Sequence, residues 1–307
     1  MPPDTVPPPL PAGCTLDRYR IERRISEGGF SIVYLARDEA GKPVAIKEYL
    51  PGALARRGAD GVTVTVDAAH QAAFDSGLKC LIEEGRVLAG IDHPNVVRVT
   101  NFLRGNGTAY LVMRHEHGCT LKEHVHALTE RGAPVGEDFL RNLFVRLLAG
   151  LREVHARKLL HLDIKPGNIF VREDGHPVLI DFGAARQGLG AASGMPVVLT
   201  PGFAAPEQQG SGEPLGPWTD IYSVGASIYD CLSGSAPQAA EQRLVKDELL
   251  PAQARWGKGY SLQLLELIDW CLTLPVTRRP QSVFALQKVL SGEQLDLVDP
   301  SWFDQAP

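Results

Sequence analysis

The hydrophobic pattern of this 307-residue chain changes period once, near residues 114–117, and that change limits the folds open to it. Before it, "YRIERRI", "SIVYLARD" and "PVAIKEYL" read as strands separated by Gly and Asp/Lys turns, with "VVRVTNFLRG" and "TAYLVMRH" as two more. One segment there carries helical spacing, "AFDSGLKCLIEEGRVLAGI", through Leu78, Leu81, Ile82 and Leu88. After it, helices dominate. Thr120 and Glu123 in "TLKE" have capping-box spacing, in which each side chain bonds the other's backbone N–H, so a helix is predicted to start there. Leu140, Leu143, Leu147, Leu151 and Val154 share one face of the next, and further helices are expected at 220–233, 261–272 and 281–290. A strand-rich third followed by helices predicts an α+β chain in two lobes.

"HLDIKPGN", residues 161–168, sets a polar island between apolar flanks, and "DFG" follows thirteen residues past Asn168. Asp163 is suited to accept a proton from a hydroxyl. Asn168 and Asp181 supply the hard oxygens that Mg²⁺ takes alongside substrate phosphates. Lys165 suits neutralisation of a phosphoryl group in transfer. Upstream, the glycines of "SEGGFSIVY" let backbone approach a phosphate closely. "VAIK" ends at Lys47 among apolar residues, where an ammonium needs an anionic partner, and Glu84 is the natural candidate. Singly, each has a plainer reading: a Gly-Gly turn, an edge lysine, a turn aspartate, a capping asparagine, a surface glutamate. Their joint order and spacing do not.

In that order the Gly-rich loop, V-A-I-K, the helix-C glutamate, H-x-D-x-K-x-x-N, D-F-G and A-P-E resemble the motifs of eukaryotic-type (Hanks-type) protein kinases, and more specifically of bacterial Ser/Thr kinases, over roughly residues 16–290. The resemblance implies a bilobal protein-kinase-like fold with a strand-rich N-lobe, one main helix in it, and a mainly helical C-lobe. It implies a Pro-rich leader at 1–15, the N-lobe at 16–114 with an insert at about 50–73, the C-lobe at 115–290 and a tail at 291–307. The implied activity is Mg²⁺-dependent transfer of the γ-phosphoryl group of ATP to Ser/Thr hydroxyls of a protein substrate. In that role Lys47 holds the α/β-phosphates and pairs with Glu84, under a loop containing Ser26 and Gly28. Val33, Ala45 and Phe170 sandwich the adenine, Met113 is the gatekeeper, and the backbone of Arg114 and Glu116 bonds the adenine edge. Asp163 is the catalytic base, with Lys165 beside it, and Asn168 and Asp181 hold Mg²⁺. The resemblance also has Thr200 bonding Asp163 and Lys165, Glu207 pairing with Arg279, and Asp220 anchoring the catalytic loop. Leu88, Val99, His161 and Phe182 would form an apolar spine.

The chain departs from the pattern in three places. Ser26 and Ser31 stand for the first and third glycines of the loop, so a stiffer or weaker ATP clamp is expected. Leu162 replaces the usual arginine before Asp163. Leucine cannot pair with an activation-loop phosphate, which implies a non-RD variant. Between Asp181 and Glu207 only Ser193 and Thr200 carry hydroxyls, and Arg186 is the sole cation, so packing of Met195, Val197, Val198 and Leu199 is expected to order that loop. Thirdly, the stretch from Lys47 to Glu84 is long. An ordered flap beside helix C is expected, with a disordered insert as the alternative, and either element could receive a regulatory partner.

A formal charge of −5 gives no reason to expect nucleic acid or an anionic membrane. Five cysteines without a C-x-x-C read as reduced thiols of a cytoplasmic protein, or of the cytosolic kinase domain of a larger one. No apolar run is long enough to span a bilayer. Two other functions stay open. A small-molecule kinase of the antibiotic or choline type shares H-x-D-x-x-x-x-N, but the D-F-G plus A-P-E pairing argues against it. A catalytically dead scaffold would suit the altered Gly-rich loop, but Lys47, Glu84, Asp163, Lys165, Asn168 and Asp181 are all present.

Overall fold

Alternation along the first third becomes an antiparallel sheet. In a computed structural model, which describes residues 7–182, 199–210 and 212–292, six strands run in the order β1-β2-β3-β4-β8-β7. They are β1 (Thr15–Leu16), β2 (Tyr19–Glu27), β3 (Ser31–Arg37), β4 (Pro43–Tyr49), β7 (Val99–Gly105) and β8 (Thr108–Arg114). β5 (Ala55–Arg57) and β6 (Val64–Val66) form a separate hairpin. Within the described residues the chain divides into two compact units, residues 7–117 with 180–182, and residues 118–179 with 199–292.

Side chains alternate across a strand, and this gives the first unit two distinct sheet faces. Val33, Ala45, Lys47 and Met113 fall on one, because Val33 pairs with Lys47 and Ala45 with Met113. Ile32, Tyr34, Ile46 and Glu48 fall on the other, all buried. Helix α1 (Gln71–Ala89) packs on the Lys47 face. Gly85 allows this: a Cβ there would stand 2.4 Å from Leu111 Cδ2, and Leu111 pairs with Lys47 in the register. Glycine within a helix costs about 0.5–1 kcal/mol relative to alanine, and here it lets the helix press onto β8.

The flap expected beside α1 is ordered, but its anchors lie on the other face of β4, where Arg57 reaches Glu48 at 2.6 Å. Val64 of "GVTVTV" is buried in the core that holds Ile46 and Phe74. The leader is seated from Pro7 on, with Leu10 buried in the same core.

The second unit is built on helices. The capping box forms: Thr120 N–H donates to Glu123 Oε2 (2.7 Å) and Glu123 N–H to Thr120 Oγ1 (3.2 Å), starting α2 (Leu121–Glu130). α3 (Glu137–Ala156) buries the stripe read from its spacing, Leu140 to Val154. A three-stranded sheet, β11-β10-β9, joins β9 (Gly118–Thr120), β10 (Ile169–Arg172) and β11 (Pro177–Leu179). α4 (Pro217–Ser233) begins three residues before the expected 220, because Pro217 sits in its first turn. Gly225 lets it approach the helix Leu262–Cys271, where an added Cβ would lie 2.4 Å from Cys271 Cβ. Two helices not foreseen, Ala240–Val245 and Ala252–Trp256, are too short to show a period. All five cysteines are unpaired, and no helix among the described residues is long and apolar enough to cross a membrane.

One ion pair braces this unit. Arg279 donates to Glu207 through Nη1 (2.9 Å) and Nη2 (2.7 Å), and also to the carbonyls of Trp218 (3.1 Å) and Leu274 (2.9 Å), with both charged side chains fully buried. Arg279→Met should strand Glu207 in the interior and cost about 3–5 kcal/mol. Thermal melting checks this; a Tm within a degree of wild type would count against the brace.

Candidate active site

In the first unit, the site grows from β4. Lys47 is 4% exposed, and an ammonium so buried must be paired. Its Nζ lies 2.6 Å from Asp181 Oδ1 and 3.8 Å from Glu84 Oε1. The first separation is a hydrogen bond; the second is an ion pair too long for one. Asp181 holds a left-handed backbone, φ 60°, with a half-exposed side chain. The structure thus brings Lys47, Glu84 and Asp181 together, with Asp181 the nearer partner.

The two serines of the Gly-rich loop stand in the strand ladders, Ser26 opposite Val33 and Ser31 opposite Tyr49. The tip between them keeps open backbone. A Cβ on Gly29 would meet nothing within 4 Å, and one on Gly28 only Ser31 O, at 4.0 Å. Val33, Ala45 and Met113 share the Lys47 face and are partly buried. Arg114 gives its N–H to Arg98 O (2.9 Å), so only its carbonyl can face a ligand; its Nε sits 3.2 Å from Glu116 Oε1.

In the second unit, four contacts converge on the Asp163 carboxylate. Lys165 Nζ donates to Oδ1 (3.0 Å) and Oδ2 (2.8 Å), Thr200 Oγ1 donates to Oδ1 (2.7 Å), and Asn168 Nδ2 donates to Oδ2 (2.8 Å). Lys165 also reaches Thr200 Oγ1 at 2.8 Å. Asn168 Nδ2 further bonds the Asp163 carbonyl (2.8 Å), which leaves Oδ1 as its spare oxygen. Phe170 is partly buried on β10.

The loop that carries Asp163 is strained and held from below. Leu162 is 3% exposed with φ 64°, a conformation that costs a non-glycine residue about 1–3 kcal/mol. Asp220 on α4 accepts the N–H groups of Leu162 (2.8 Å) and His161 (3.0 Å), and His155 Nε2 bonds the same carboxylate (2.7 Å). Burial raises the Asp220 pKa, but the His155 hydrogen bond and the backbone donors outweigh it and hold the group below the usual range. Asp220 therefore serves as a full carboxylate, and charge-assisted bonds of this kind contribute about 1.5–3 kcal/mol each.

Sequence reasoning missed Gln208 and His155. Gln208 Nε2 donates to the Leu162 carbonyl (2.8 Å) while its Oε1 accepts from Ala205 N–H (2.9 Å), so it completes the grip on Leu162. A polar residue directly after "APE", and a histidine at the end of the buried α3 stripe, were the signals available. Leu88, Val99 and Phe182 are buried in the first unit and His161 in the second. Gly183, Arg186, Ser193, Met195, Val197, Val198 and residues 293–307 lie outside the described residues.

Residues 19–291 match the sequence profile of the protein kinase domain. The chain belongs to the protein kinase family. It is 33% identical over 301 residues to the probable serine/threonine-protein kinase pknA2 of Bifidobacterium longum, covering 95% of this chain and 37% of that protein. It is 30% identical over 290 residues to serine/threonine-protein kinase D of a Synechocystis strain, covering 90% and 52%. This kinase domain thus spans about a third to a half of the length of these curated relatives. Among solved structures, the apo form of PpkA-294 superposes with TM-score 0.80 at 34% identity, covering 92% of this chain and 99% of that one. The PknI kinase domain of Mycobacterium tuberculosis shares the fold, at TM-score 0.68 and 19% identity over 93% of this chain and 100% of that one.

The residues fit the groups this family implies. The open glycine backbone and the buried Lys47 ammonium suit phosphate, and the spare Asn168 oxygen and the half-exposed Asp181 carboxylate are hard donors of the Mg²⁺ type. Because Asp181 is the nearer partner of Lys47, Glu84→Gln should raise the KM for ATP less than Lys47→Met does. Steady-state kinetics with ATP varied would check this; a larger effect at Glu84 would mean that α1 carries a different role.

Proposed function

We propose that the protein is a Ser/Thr protein kinase, transferring the γ-phosphoryl group of ATP to hydroxyls of a protein substrate. The observation that carries the reading is the Asp163 carboxylate gathered by Lys165, Thr200 and Asn168 at 2.7–3.0 Å. When bound, ATP supplies the phosphoryl group and Mg²⁺ neutralises its charge. Asn168 and Asp181 would hold the metal, and Lys47 the α/β-phosphates beneath the loop of Ser26 and Gly28. Val33, Ala45, Phe170 and Met113 would frame the adenine, with the backbone of Arg114 and Glu116 on its edge. Asp163 orients the acceptor hydroxyl and takes its proton. Lys165, fixed between Asp163 and Thr200, places a positive charge beside it.

Asp163→Asn should keep nucleotide binding and lose phosphoryl transfer by several orders of magnitude, since the base is gone and its neighbours remain. Radiolabelled ATP with generic protein substrates checks this. Equal turnover in wild type and variant would sink the mechanism, and no turnover on protein with turnover on an aminoglycoside or choline would favour the small-molecule reading.

We further infer control without loop phosphorylation. Leu162 offers no cation, and its backbone is fixed by Asp220 and Gln208. Control then falls to α1 or to the 50–73 insert, where a regulatory partner would act. The five unpaired thiols support a reducing, cytosolic setting. Ser193→Ala should stay within a few-fold of wild-type activity after phosphatase treatment. A hundredfold loss that Ser193→Asp restores would overturn this.

A further inference from the structure

Behind Lys47 lies a buried polar network that none of the roles above uses. Glu48 is fully buried on the opposite face of β4. Arg57, from the insert hairpin, meets it with both ends of the guanidinium: Nη1 to Oε1 at 2.7 Å and Nη2 to Oε2 at 2.6 Å. The remaining Arg57 donors go to Val62 O (3.0 Å), Pro8 O (3.1 Å) and Tyr34 Oη (3.3 Å). All five N–H groups therefore have acceptors. Glu48 also accepts from Tyr34 Oη (2.7 Å) and Tyr110 Oη (3.1 Å). Burial and the neighbouring carboxylate raise both phenol pKa values, so the hydroxyls stay protonated donors.

The chain between Glu48 and Arg57 touches the Gly-rich loop. Ladder pairing of β3 with β4 ends at Ser31 and Tyr49. Past that point Leu50 N–H donates to Phe30 O (2.9 Å) and Gly52 N–H to Gly29 O (3.2 Å). A turn follows, with Leu54 and Ala55 N–H on Pro51 O (both 2.9 Å), and leads into β5 and Arg57. The first residues of the insert are thus bonded to the tip of the loop, and its far end is pinned to β4 by a saturated ion pair.

We propose that Glu48 and Arg57 are positioning residues for the nucleotide-binding loop: they fix the insert so that the amides of Leu50 and Gly52 hold the carbonyls of Phe30 and Gly29. This rests on the ATP-binding reading of that loop. It gives the insert a role in the chemistry, as a clasp on the ATP clamp. It also gives the two serines a context, since a loop held from outside needs less freedom of its own.

Removing one partner alone strands a buried charge and risks unfolding, whereas replacing both members removes the two charges together. The test therefore compares Arg57→Met with the double variant Glu48→Gln/Arg57→Met. Amide hydrogen exchange, melting temperature and ATP kinetics are measured for each. In a double variant with near-native Tm, exchange at Leu50 and Gly52 should quicken at least tenfold, the KM for ATP should rise about tenfold, and kcat should stay within about threefold. Unchanged exchange at both amides together with an unchanged KM overturns the proposal. So does a fall in kcat that tracks the loss of Tm with KM constant, because that is a purely structural role. If the wild-type chain neither binds nor uses ATP, the kinase reading fails instead, while the exchange rates still decide whether the ion pair holds the loop.

Discussion

A buried carboxylate that points at backbone, not at substrate, holds this kinase domain's chemistry in place. Asp220 accepts the N–H groups of His161 and Leu162 from α4 and is itself bonded by His155. Without it, the left-handed turn at Leu162 would keep only the Gln208 bond to its carbonyl to offset its strain, and Asp163 would lose its fixed bearing toward Lys165 and Thr200. Buried carboxylates also hold elements together at Glu207 and at Glu48, there by pairing with the side chains of Arg279 and Arg57. In each, burial makes an unmet charge costly, so the pair specifies one arrangement of the elements that carry it.

Close backbone approach is the second constraint. Gly85 in α1 and Gly225 in α4 stand where a methyl group would collide with Leu111 and Cys271. Both weaken their helices locally and both are repaid in packing. Gly85 sits beside Glu84, so the residue that lets the helix close on the sheet is next to the residue that must face Lys47.

The sequence was most informative where chemistry demands fixed spacing. Asp163, Lys165 and Asn168 could be named in advance because their offsets are set by one loop, and Thr200 because its segment resembles the family's docking segment; the bonds among them are seen. The capping box at Thr120 and the α3 stripe were readable for the same reason, being local. Long-range choices were not. That Lys47 would sit closer to Asp181 than to Glu84 depends on where two distant segments come to rest. The insert's side of β4 turned on whether Arg57 would find Glu48 or α1, and the alternating valines of "GVTVTV" leave that open. Gln208 and His155 were invisible as partners because a single polar residue in or beside an apolar run has many possible acceptors.

The left-handed backbone at Leu162 narrows what this position can accept. Its side chain leaves a strained turn and is buried, at 3% exposure. A β-branched residue there would add steric cost to the turn, and an arginine would have to bury its guanidinium or pull the turn outward. The leucine is therefore part of the loop's foundation. Placing a charged side chain at residue 162 would require the turn around it to be rebuilt, not one side chain exchanged.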